Sequence, residues 1–116
     1  MSIEILRNAE VLGARERELR DILLMSENIQ HLAENNDWAE AVAEQYRRRA
    51  LMDTFFAKDC APSESQQVAE VIEAVLNIDQ QVTNVLYQQR SSMLTDANQS
   101  RQNVRNVDAY LSHSVS

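Results

Sequence analysis

The chain of 116 residues predicts an all-α fold. The expected arrangement is an antiparallel up-down-up three-helix bundle with a short, weakly packed fourth C-terminal helix. Three observations predict it. There are 1 Gly and 1 Pro in the chain, too few for the turns of a sheet protein. Ala, Leu, Glu, Gln and Arg are abundant, and all are good helix formers. Apolar residues recur at helical spacing over long stretches. The length suits one domain, divided here as residues 1–97 for the bundle and 98–116 for a terminal helix and flexible tail.

The first predicted helix covers about 3–34. Ser2 is its expected cap, with Glu4 in the first turn. Ile5, Leu12, Leu19, Ile22, Ile29 and Ala33 share a face, widened by Leu23 and Leu32. Glu16 with Arg20 and Arg17 with Asp21 form i,i+4 pairs on the opposite side. Gly13 interrupts the run at a cost of about 1 kcal/mol against Ala, and marks either a bend or the true start. Asn35-Asn36 stops the helix, because Asn tolerates the left-handed conformation. A tight turn at that point makes the next helix an antiparallel neighbour.

The second helix covers about 38–57. Asp37 caps it, and Glu40 is placed to reach back to the cap amide. Trp38, Val42, Gln45, Met52, Phe55 and Phe56 form a bulky face, and Ala39, Ala43, Ala50, Thr54 and Ala57 a small one broken by Tyr46. Such a helix can pack on two sides, as the middle of a bundle must. Arg47-Arg48-Arg49 has two readings: a solvated run with Glu44 pairing Arg48, or one arginine reaching across the bundle or towards an acidic partner. Three consecutive residues fan over about 200°, so at least one lies near a packed face.

Pro62 forbids helix at Ala61, and Ser63 with Gln66 reads as a capping box opening the third helix, about 64–97. Its pattern is the cleanest in the chain. Val68, Val75 and Val82 repeat every seven residues, with Val71, Ile78 and Val85 three residues on. This is an a/d seam, and Ile72, Leu76 and Leu86 widen it. After Ala97 the chain turns polar, and Val104, Val107, Tyr110 and Leu111 keep only a weak stripe. The first and third helices span about 45 Å against about 30 Å for the second. Their ends, before Gly13 and around Leu86 to Leu94, should overhang it.

Catalytic chemistry finds no footing. One Gly excludes a phosphate-binding Gly-rich loop. His31 and His113 lack the paired Glu-x-x-His motif of a bundle di-metal site. Cys60 is a single loop thiol, without a disulfide partner. No catalytic residue, metal or cofactor is expected. The formal net charge of -7 opposes nucleic acid and anionic membrane alike. No signal segment opens the chain and no apolar run spans a bilayer, so a cytoplasmic protein is expected.

The run HLAENNDWAEAVAEQYRRRALMDTFFA, then VLNIDQQVTNVLYQQRSSML, resembles the FliT family of bacterial flagellar export chaperones. Carrying the resemblance are Trp38 after the cap, the Glu44–Arg47 step, the Leu-Met…Phe-Phe end of the second helix and the Ile78-Asp79-x-x-Val82 step, within about residues 19–95. The resemblance implies a cytoplasmic bundle that binds the C-terminal helical part of the filament-cap protein. It would prevent premature assembly and deliver its cargo to the export apparatus and its ATPase complex. In enteric members it also implies binding of the flagellar master transcription regulator. Helix-in-groove recognition then points to Leu51, Phe55, Ile72, Leu76 and Leu86 as partner-binding residues, the alternative being that these five only complete the bundle core, with the fourth helix as a displaceable lid. The alternatives are a chaperone for another secreted substrate, or a structural homodimer built on the valine seam without cargo.

Overall fold

The computed structural model describes residues 3–8 and 12–115. The expected cap at Ser2 lies outside them, as do the side chains expected at Glu4, Ile5, Val104, Val107, Tyr110 and Leu111. The described elements are helices: α1 (Ile3–Asn8), α2 (Ala14–Glu34), α3 (Trp38–Phe56) and α4 (Ser65–Val115). Two compact units emerge, Met1–Thr83 and Asn84–Ser116, and α4 contributes to both.

The first predicted helix is two elements. Gly13 is the N-cap of α2, with an extended backbone (φ -67°, ψ 167°) and its carbonyl accepting from the Arg17 amide at 3.0 Å. Gly is disfavoured inside a helix and accepted at a cap, so Gly13 marks the start of α2. The overhang expected there is replaced by α1, whose Leu6 is fully buried in the core. With 21 residues in α2 and 19 in α3, the two are nearly matched in length. The i,i+4 pairs expected on α2 are replaced: Arg20 pairs with adjacent Asp21 at 3.2 Å, and Arg17 donates to the Leu12 carbonyl.

Asn36, at φ 61°, ends α2 in a Schellman turn. The Asp37 amide donates to the Leu32 carbonyl at 2.8 Å and the Asn36 amide to Ala33 at 3.0 Å. The Asp37 carboxylate then accepts from the Glu40 amide, capping α3. Glu40 does not complete the expected box, because the Asp37 amide is already committed to Leu32. Cross-links fix the directions within the first unit. Ser26 meets Arg48 and Asn28 meets Glu44, so α2 and α3 are antiparallel. Arg15 meets Glu64 and Gln30 meets Gln81, so α4 runs parallel to α2. The path is up-down-up.

Leu19, Ile22 and Leu23 of α2, Phe55 of α3 and Val68, Val71 and Val75 of α4 form the core with Leu6 and Leu12. Of the a/d seam, Val68, Val71, Val75 and Val82 are buried and Ile78 and Val85 half-buried. The inward face of α3 differs from the expected bulky face. Its buried residues are Ala41 and Phe55, with Trp38, Glu44, Arg48, Leu51 and Met52 half-buried, while Val42, Gln45 and Tyr46 are exposed. The inward line is 41-48-55, a seven-residue step. Two polar side chains lie on or beside it, which hid it from a hydrophobicity pattern.

No separate fourth helix exists among the described residues: Asn98-Gln99-Ser100 continue α4. Each is disfavoured in a helix interior by only about 0.7 kcal/mol or less. Without Gly or Pro among them, nothing stops the ladder. In the second unit Leu86, Tyr87, Met93 and Leu94 are exposed.

Candidate functional site: a cleft between α3 and α4

Two polar clamps build the site. The first begins at Arg15, in the opening turn of α2. Its guanidinium donates to the Phe55 carbonyl at 2.6 Å and to Glu64 at 2.8 Å, and lies 3.8 Å from the Phe55 ring centroid. One side chain thereby satisfies an end carbonyl of α3, stacks on its last buried ring and holds the start of α4. The Arg15 hydrogen bond lowers the Glu64 carboxyl below its ordinary pKa, against desolvation and aided by the Ala61 amide. Glu64 supplies the local cap where Ser63 was expected to: its carboxylate accepts from Ala61 and its carbonyl from the Val68 amide.

The second clamp is Arg48. It donates to Ser26 Oγ at 3.0 Å on α2 and to both Asp79 oxygens on α4, at 2.8 and 3.3 Å. Its side chain is 13% exposed. Of the two readings of the arginine run, the reach across the bundle is the one observed. Glu44 pairs with Arg47 at 3.0 Å, not with Arg48. Burial works to raise the Glu44 carboxyl, but hydrogen bonds from Arg47 and Asn28 outweigh it, and its pKa is lowered.

Between these clamps, α3 and α4 leave a cleft. At one end is an apolar slot of about 100 Å³, walled by Met52, Phe56, Ile72 and Leu76, with Leu19, Ile22, Val71 and Val75 beneath. Phe56 is 42% exposed, Ile72 37% and Leu76 62%. Phe56 meets Phe55 edge to face, with centroids 5.0 Å apart. The Arg15-held ring of Phe55 therefore props Phe56 at the rim. At the other end a cavity of about 540 Å³ lies among Val42, Gln45, Tyr46, Arg49, Asp53 and Thr83. Met52 and Asp79 line both, so the two spaces adjoin along the α3–α4 cleft.

Of the residues proposed from sequence, Ile72 and Leu76 lie together in the slot. Phe55 is fully buried and Leu51 half-buried, packed against the core. Leu86 is exposed in the second unit. On α3 the sequence pointed to Leu51 and Phe55, whereas the neighbouring Met52 and Phe56 wall the slot; Arg15 as a clamp was missed. The available signal for Phe56 was its place one residue beyond the 41-48-55 line, at the edge of the inward face.

Among the described residues, no group of three His, Cys, Asp or Glu is placed to hold a metal, and no helix is long and apolar enough to cross a membrane. No curated protein and no solved structure shows a match. A family-wide sequence profile described as "Flagellar protein FliT" matches residues 16–112. That match takes in nearly all of α2, all of α3, the loop and nearly all of α4, so the chain belongs to the FliT family of flagellar chaperones.

Proposed function

We propose that the chain is a cytoplasmic export chaperone whose α3–α4 cleft receives the C-terminal amphipathic helix of the flagellar filament-cap protein. One observation carries the reading: Phe56, Ile72 and Leu76 stand exposed around a slot with an apolar floor. Exposed apolar side chains gathered at a groove mark an interaction site, and an amphipathic helix is the element that fills one. Covering these residues holds the cargo unassembled until it reaches the export apparatus and its ATPase complex. Leu51 and Phe55 act from beneath, and Leu86 is a further proposed contact. Binding of the flagellar master transcription regulator belongs to the same family-based reading. A chaperone for a different secreted helix would use the same slot, while a cargo-free dimer would leave it idle.

Calorimetry with the cap protein's C-terminal segment tests this. Leu76→Arg should weaken binding at least about tenfold, as truncated hot spots do. Leu24→Arg, at an exposed position on α2, should not. No binding by the unmodified chain, or equal effects of the two variants, would count against the reading. Light scattering that finds a stable dimer indifferent to the segment would favour the cargo-free alternative.

A further inference from the structure

The polar end of the cleft adds a requirement that the slot alone does not impose. Building on the cargo-groove reading, we propose that the bound helix presents an acidic side chain to Arg49. That residue would lie about two helical turns from those seated in the slot.

The argument starts from partners. In the first unit Arg7, Arg15, Arg20, Arg47 and Arg48 each form an ion pair with a carboxylate. Arg17 holds the Leu12 carbonyl. Among the described residues Arg49 has no such partner, although it lines the cavity and the chain carries 18 acidic residues against 11 Lys and Arg. Asp53, one turn along α3, lines the same cavity without forming an ion pair with it. Arg48 is already committed to Asp79 and Ser26, so Arg49 is the cation available to an incoming anion.

Position fixes the spacing. Arg49 precedes Phe56 by seven residues, two turns or about 10 Å. Residues seven apart on a bound helix share a face. A helix with apolar anchors in the slot therefore brings a residue seven positions away towards Arg49. The cavity there, about 540 Å³, holds a Glu side chain with room to spare. Gln45 and Tyr46, which line it too, offer neutral donors beside the guanidinium. Nearer the slot, Asp53 and Asp79 oppose a second acid, which confines the acidic position to the Arg49 end.

Two designed amphipathic peptides test the inference. Each carries Leu at positions i and i+4, with either Glu or Lys seven residues before and seven residues after that pair. In calorimetry on the full chain at low salt, the Glu peptide should bind about fivefold more tightly, the upper range for an exposed ion pair. The preference runs against the net charge of -7, so it cannot arise from the overall field. Arg49→Glu should invert it and Arg49→Gln should remove it. Equal affinity of both peptides for the unmodified chain, or a preference that survives Arg49→Glu, overturns the inference. Leu76→Arg separates the two claims. If it abolishes binding of peptides that show no charge preference, the groove stands and the acidic requirement falls. If it leaves peptide binding intact, the groove reading falls and this inference with it.

Discussion

Removing either partner of the Arg48–Asp79 pair should destabilise the fold, and the two losses should be unequal. Asp79 is 39% exposed and Arg48 13%. In Arg48→Ala the stranded carboxylate recovers water, and Ser26 Oγ keeps its hydrogen bond to the Ile22 carbonyl at 2.9 Å. The loss is chiefly that of charge-assisted hydrogen bonds, about 2 kcal/mol. In Asp79→Ala the stranded group is the guanidinium, held mostly out of solvent with only Ser26 for company. That places the cost near the lower end for a broken buried pair, about 3 kcal/mol. Arg48→Met combined with Asp79→Leu should recover most of the loss, because no charge is then left unpaired. Urea denaturation followed by far-UV circular dichroism measures all three. An Arg48→Ala loss equal to or larger than that of Asp79→Ala would refute the reasoning from exposure. Losses below about 0.5 kcal/mol for both, the scale of ordinary surface changes, would refute the clamp itself.

Arg15→Ala should free the loop between α3 and α4, with exchange of the Ala61 amide faster by on the order of tenfold through local opening. Arg15→Lys should rescue it only in part, since a lysine lacks the planar fork; unchanged exchange would sink the clamp. Glu44 and Glu64 both have lowered pKa values, so the stability they add is present above the unfolded carboxylate value of about 4.3. It is lost as pH falls through their folded values. Urea midpoints should hold from pH 7 to about 5 and drop below that, less steeply in Arg47→Ala. A chain ending after Ala97 should keep its melting temperature to within about 3 °C, because the buried core residues described all precede Thr83; scanning calorimetry decides.

Where the physics is local, the residues were readable. The seven-residue valine repeat gave the buried seam of α4, and Asn36 and Pro62 gave the two turns. Polar residues within the packing were harder. Arg48 and Glu44 face inward because Ser26, Asp79 and Asn28 meet them, and those partners are distant in sequence. The same rotation of α3 exposes Val42, which looked like core. Leu6 escaped notice because it is buried on a separate helix, α1, packed into the core, and its burial does not follow from the period of one long helix. At the site, Ile72 and Leu76 were legible as apolar surplus on α4. The choice between Phe55 and Phe56 depended on a few tens of degrees of helix rotation, which spacing alone does not resolve.

Asp79 belongs both to the strut that ties α4 to α3 and to the wall of the cleft. Its two duties constrain how such a protein can diverge. A substitution at Leu76 or Ile72 alters what the cleft accepts while leaving the bundle nearly untouched. A substitution at Asp79 is judged first by folding, before any new cargo can reward it. Descendants that switch cargo should therefore vary at the rim and keep the aspartate, so the cleft changes its taste from the outside in.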